Sequence, residues 1–323
     1  MVALQDSVIS LILLRMCPFF RVKITITERD ITMAIKQALL SLEGLSVGDG
    51  FGEKSFWLGK KAIARRELPP GTWRWTDDTQ MALSIVETLR EFNHIDQDAL
   101  AESFAHRYTQ QPQRGYGGGA MRHLQRVAKG EDWRQVAPQL FPGGSYGNGG
   151  AMRAGPIGGY FAGDPSQAAR EGKLSAEVTH THPEGQAGAM GVAAAAAIAV
   201  MDQTPEGNDF LLEVAKFLPE SQVLEGVKKA LDIPPDQFER AIQTLGTGYQ
   251  VSAQDTVPFC LWVAAHHQYD YTQAMWRTVA GRGDRDTTCA IVGSIVALSA
   301  GGVPQEWVKR REKLPEDFSL YRN

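Results

Sequence analysis

Two short segments of this chain concentrate hard oxygen ligands: Thr76-Asp77-Asp78-Thr79 in the first third and Asp284-Arg285-Asp286-Thr287-Thr288 near the end. Each leads directly into an apolar helical pattern, Met81, Leu83, Ile85, Val86 and Leu89 after the first, residues 288–300 after the second. Carboxylate and hydroxyl oxygens suit Mg²⁺ or Mn²⁺, and no Cys or His sits with them to favour zinc. Helix capping is the plainer reading, since Asp and Thr satisfy free N–H groups at a helix start. Either reading accounts for one cluster alone. The pair favours metal, because a cap needs one Asp or Thr whereas each cluster offers two carboxylates, and like charges at one place cost free energy without a cation. If the fold brought the clusters together, four carboxylates would suit two metals ~3.5–4 Å apart.

The elements that must position these clusters read as helices. Ile35, Leu39 and Leu42 recur at helical spacing from Met33, and the pattern is expected to end at a glycine-rich turn, Gly48-Asp49-Gly50-Phe51-Gly52. Residues 99–108 and 119–128 look helical, whereas 141–159 is dense in glycine and is expected to be largely irregular. The alanine-dominated 188–201 reads as a buried core helix. Helical spacing continues through 210–218, 221–231, 235–245 and 257–267, and Gly301 is a natural stop for the last helix. No run of alternating strand residues stands out. The expectation is an all-α, single-domain orthogonal helical bundle with its catalytic loops at helix starts.

With 323 residues, 43% hydrophobic and 22% charged, the chain is long enough to bury a sizeable core. A net charge of −4 gives no field to attract nucleic acid or anionic membrane. Cys17, Cys260 and Cys289 are an odd number without a CxxC pair, which argues against a disulfide framework and a thiolate zinc site and points to the cytoplasm. The apolar run 8–14 lacks a basic flank and a small-residue cleavage pattern and is too short to span a bilayer. Residues 1–32 are expected to be an extension outside the core fold, with the functional domain in 33–323.

Five motifs then occur in a family-specific order: Gly48-Asp49 with Gly52, WTDDT at 75–79, GSYGNGGAMR at 144–153, HTHP at 180–183 and GDRDT at 283–287. Together they resemble the ADP-ribosylglycohydrolase family, which includes the dinitrogenase reductase-activating glycohydrolases, over nearly all of the chain after the extension. The 144–153 stretch looks most like the branch that hydrolyses serine-linked ADP-ribose. The resemblance implies an all-helical fold and two Mg²⁺ ions held by Thr76, Asp77, Asp78, Asp284, Asp286 and Thr287, with Mn²⁺ as a substitute. It further implies a substrate that is an ADP-ribosylated protein or an ADP-ribose derivative. Asp49 would lie on the substrate side, and Gly144, Ser145, Tyr146, Gly147 and Asn148 match a loop that binds diphosphate and ribose in relatives. Backbone N–H groups of such a loop can approach an anion closely because glycine has no side chain in the way. His182, and with less weight His180, matches a histidine on the ADP-ribose side.

Two departures from the family pattern matter. Many relatives carry a Glu seven residues after the position of Asp49, where this chain has Phe56; Glu53 is the nearest acid and the candidate to position the attacking water, with Asp78 and Asp286 as further catalytic carboxylates. Arg285 stands where Thr is frequent, either to contact substrate phosphate or to balance the acidic cluster. The missing Glu leaves a second reading open, a catalytically inactive ADP-ribose-binding or structural protein on the same scaffold.

Overall fold

The computed structural model describes residues 8–9, 26–201 and 203–320. Most of the expected extension therefore lies outside the described residues. Within the part of it that is described, Val8–Ile9 (β1) pairs antiparallel with Ile26–Thr27 (β2), and the first helix already begins at Glu28.

Sixteen α-helices follow one another among the described residues: α1 Glu28–Ser55, α2 Lys60–Ala64, α3 Asp77–Phe92, α4 Gln97–Gln110, α5 Gly118–Ala128, α6 Trp133–Gln139, α7 Gly155–Tyr160, α8 Pro165–Glu177, α9 Pro183–Ile198, α10 Gly207–Ala215, α11 Gln222–Ala230, α12 Phe238–Leu245, α13 Ala253–His266, α14 Tyr271–Ala280, α15 Arg285–Ser299 and α16 Gln305–Val308. The fold is all-α, as expected. The centre is built from α1, α9, α13 and α15, with α1 packed along the whole of α15 and α9 against α8 and α7.

The expected turn at 48–52 is instead the last part of α1, which runs unbroken to Ser55 and is buried from Ser41 to Gly52. Its glycines serve packing. Gly44, Gly48 and Gly52 recur every four residues and so share one helix face. A Cβ on each would lie 2.2 Å from the backbone oxygen of Gly293, Cys289 and Arg285 respectively, three residues also four apart on α15. The two helices thus meet backbone to backbone. The 155–159 part of the expected irregular stretch is corrected for the same reason: it lies in α7, where a Cβ on Gly158 would sit 2.2 Å from the Ala193 oxygen of α9. Alanine and glycine along α9 let its neighbours close in, and the helix is buried on nearly every side.

Candidate active site

The two acidic clusters are the first turns of α3 and α15, and both helices pack against α1. Thr76 caps α3, its Oγ1 accepting from the Asp78 N–H at 3.3 Å and donating to Asp78 Oδ2 at 3.0 Å. Asp49 reaches across from α1 and accepts from the Thr76 N–H (2.8 Å), the Thr79 N–H (3.1 Å) and the Thr79 hydroxyl (2.5 Å). With the N–H groups taken up by Thr76 and Asp49, Asp77 and Asp78 are not needed as caps. At α15 the contrast is sharper. Asp284 occupies the N-cap position, yet its side chain accepts from no N–H of the helix; its Oδ2 instead accepts from Asn148 Nδ2 at 2.7 Å. Capping therefore does not explain the second cluster.

Asp77, Asp78, Asp284, Asp286 and Thr287 line one cavity of about 460 Å³, together with Gly144, Ser145, Tyr146, Gly147 and Asn148. The glycine-rich loop is held there by an antiparallel bridge between Gly147 and Ser252: the Asn148 N–H donates to the Val251 carbonyl (3.2 Å) and the Ala253 N–H to the Tyr146 carbonyl (2.9 Å). Gly144 has φ of +89°, and a Cβ on it would lie 2.2 Å from Thr181 Oγ1, so glycine is required on both counts. The first cluster is fixed from behind by Arg114. Its guanidinium lies 3.4 Å from the Trp75 ring centre, donates to the Trp75 carbonyl (3.0 Å) and pairs bidentately with Glu312 (2.8 and 3.0 Å).

Burial and mutual repulsion raise the pKa values of the aspartates around the cavity. Burial pushes Asp49 up to about 6 against the hydrogen bonds from Thr79 and Thr76. Asp77 is pushed up to about 7 by burial and then by the charges of Asp49 and Asp284. Asp78 and Asp286 rise well above the ordinary carboxylate range, by burial first and then by neighbouring aspartates. Asp78 Oδ1 and Asp286 Oδ1 are buried without a hydrogen-bond partner. Such orphaned acceptors are costly unless something absent from the protein itself satisfies them. The donors are all oxygen, as Mg²⁺ or Mn²⁺ requires. Among the described residues no three Asp, Glu, His or Cys side chains already close into a cage, so the carboxylates line a shared space rather than a finished pocket.

Five of the sequence-expected site residues do not line the cavity, and the structure places each. Asp49 and Thr76 stand behind the wall as hydrogen-bonding supports. His182 caps α9, its Nδ1 accepting from the Glu184 N–H (3.1 Å), with its ring edge-on to Tyr146 at 5.5 Å. Arg285 donates to the Ser55 carbonyl at the end of α1 and lies over the Phe56 ring at 5.6 Å. Glu53 is half-buried on α1, one helical turn beyond Asp49. His180 does line the cavity. Thr179 Oγ1 accepts from Arg153 Nη2 (2.9 Å) and shares a hydrogen bond with His180 Nδ1 (2.7 Å). A Cβ on Gly149 or Gly147 would lie 3.1 or 3.3 Å from His180 Nε2. Burial, then Arg153, holds the His180 imidazole down to about 3, so it is neutral at physiological pH.

Sequence reasoning missed the wall formed by Gly115, Gly117, Gly119 and His123, and the rim residues Gln250 and Val251. The run Arg114-Gly115-Tyr116-Gly117-Gly118-Gly119 was the available signal, since Gly115 has φ of +94° and a Cβ on it would lie 3.5 Å from Asp77 Oδ1.

The fold agrees with known proteins. The profile described as ADP-ribosylglycohydrolase matches residues 32–321. An ADP-ribosylhydrolase ARH3 from Gallus gallus is 28% identical over 313 residues, covering 85% of this chain and 81% of the relative. The ADP-ribosylhydrolase ARH3 of Homo sapiens is 28% identical over 277 residues, covering 75% and 76%. A solved structure described as an ADP-ribosylglycohydrolase-related protein complex shares the fold, with a TM-score of 0.55 at 21% identity over 87% of this chain and 94% of the other. The family match spans both aspartate clusters and every helix that carries them, and the chain belongs to the ADP-ribosylglycohydrolase family of enzymes.

Proposed function

We propose that the chain is a Mg²⁺-dependent hydrolase of the glycosidic bond between ADP-ribose and a modified acceptor, a protein side chain or a small molecule. One observation carries the reading: two orphaned carboxylate oxygens, on Asp78 and Asp286, belong to two helix starts that line a single nucleotide-sized cavity. Asp77, Asp78, Asp284, Asp286 and Thr287 would hold two Mg²⁺ ions, with Thr76 supporting Asp78 through its hydroxyl and Mn²⁺ able to serve in their place. When bound, the ions would neutralise the carboxylates, orient the ribose hydroxyls and lower the pKa of water.

The chain's own groups do the rest. Asp49 fixes the start of α3 by accepting from three donor groups, and Asn148 fixes Asp284 through one hydrogen bond. The Gly144 N–H is held by the Phe141 carbonyl and the Gly147 N–H by Ser145 Oγ, which leaves the Ser145 N–H and the neutral His180 ring on the cavity wall to meet the diphosphate. Cleavage at the anomeric carbon develops positive charge on the ribose. Glu53, one turn beyond Asp49 on α1 and outside the cavity lining, is the acid whose role in positioning the attacking water the Glu53→Gln substitution tests.

The test is to incubate the protein, with Mg²⁺ and with EDTA, against serine-linked and arginine-linked ADP-ribosyl peptides and O-acetyl-ADP-ribose. Metal-dependent release of ADP-ribose from one of them is the expected outcome. Binding of ADP-ribose without release from any would leave an inactive binder instead.

A further inference from the structure

Four large apolar side chains stand exposed on either side of the second aspartate cluster. Phe56 (45% exposed) and Trp57 (85%) form the turn that ends α1, and Tyr249 (85%) and Val251 (59%) belong to the loop before α13. Both segments touch the start of α15. Gly52 packs on it so closely that a Cβ would lie 2.7 Å from Asp286 Cα, and a Cβ on Gly248 would lie 2.6 Å from Asp284 Cβ. Phe56, Trp57 and Tyr249 do not line the cavity. They stand outside it, at its aspartate end.

Charge singles out the same place. Residues 54–66 carry Lys54, Lys60, Lys61, Arg65 and Arg66 and no Asp or Glu, in a chain whose net charge is −4. Arg65 pairs with Glu67 at 3.4 Å and Arg66 with Gln273, but Lys60, Lys61 and the nearby Arg282 are exposed and enter no ion pair among the described residues. Exposed Trp and Tyr beside uncommitted cations form the kind of surface that anchors a partner and steers its approach.

We propose that this rim, Phe56 and Trp57 with Lys60, Lys61, Tyr249 and Arg282, docks the acceptor polypeptide, and that it selects acceptors with acidic residues flanking the modified side chain. The inference rests on the proposed function, which puts the scissile bond at the aspartates and so directs the acceptor outward over this rim. Arg285 supports the rim from below by tying Phe56 and the Ser55 carbonyl to α15. Selection follows from charge complementarity, and it weakens with salt because the cations are exposed.

The experiment compares two ADP-ribosyl peptides that differ only in flanking residues, Glu in one and Lys in the other, with O-acetyl-ADP-ribose as a substrate that has no polypeptide. At low ionic strength the acidic peptide should have a kcat/KM ~10-fold higher, an advantage that high salt erases. Lys60→Glu/Lys61→Glu/Arg282→Glu should reverse the preference, and Trp57→Ala should raise KM for both peptides. Neither change should alter turnover of O-acetyl-ADP-ribose, which also reports that the variants are folded. Equal kcat/KM for the two peptides overturns the proposal, as does a duplex DNA oligonucleotide that competes as well as an acidic peptide. Loss of activity on all three substrates in the unaltered protein would instead be a failure of the hydrolase reading, and fluorescence polarisation of the two peptides would then make the same docking comparison.

Discussion

Replacing Gly48 by Ala adds one methyl group at the middle of the α1–α15 contact. That carbon would sit 2.2 Å from the Cys289 oxygen and 2.7 Å from its carbonyl carbon, where ordinary contact begins at 3.4 Å. Both are backbone atoms and cannot rotate away, so the helices must part by roughly 1 Å. Alanine is better than glycine in a helix interior by about 1 kcal/mol. Overpacking costs about 3 kcal/mol at the upper end of its usual range, which fits a clash with backbone and leaves a net loss of about 2 kcal/mol. Melting temperature should fall by roughly 4 °C in a protein of this size. The effect on turnover should be larger. Asp49 on α1 sets the start of α3, and α15 begins at Arg285 beside Asp286, so parting the helices parts the two clusters. A 1 Å misplacement costs about 10²-fold in rate. Thermal unfolding and the rate of ADP-ribose release at saturating Mg²⁺ measure both effects. Gly59→Ala, where an added Cβ meets nothing within 4 Å, is the control and should change neither. A Gly48→Ala protein with unaltered melting temperature and rate would refute the backbone-contact argument.

Asp77→Ala and Asp286→Ala should each abolish turnover while leaving the metal-free protein as stable as before or more so, because each removes a charge that its neighbours repel; unchanged turnover in both would reject the metal-site assignment. Folding raises Asp49 to about 6 and Asp77 to about 7, so the folded state holds protons that the unfolded chain has released. In EDTA, stability should therefore fall as pH rises from about 4 through about 7, and saturating Mg²⁺ should oppose the fall; a metal-free melting temperature that climbs across this window would contradict the assignment. Glu53→Gln should lower the rate ~10²–10⁴-fold with ADP-ribose affinity nearly intact, and wild-type rates in that variant would put Glu53 outside the chemistry.

Apolar spacing made the helices after the two clusters legible, and alanine content made α9 legible, since alanine is the best helix former. Glycine was the misleading residue. Locally it favours turns, and 48–52 and 155–159 were expected to break the chain, yet both lie in helices where only a hydrogen atom fits against a neighbouring backbone. The same limit applies to HTHP: two histidines two residues apart look alike in sequence, whereas the structure gives His180 the cavity and His182 the cap of α9.

By itself the sequence determined the chemistry on offer, two sets of hard oxygen donors at helix starts, a glycine-rich loop and an all-helical scaffold to carry them. Residue type and short-range spacing carry that information, since ligand hardness and helical period are local properties. Whether the sets meet depends on tertiary contacts, which no local pattern reports. Backbone contact between α1 and α15, the Asn148 bond to Asp284 and the Asp49 bonds to α3 bring them to one cavity. Tertiary structure also turned Arg285 away from that cavity and left Phe56 and Trp57 exposed beside it, because side-chain direction depends on what packs around each helix end.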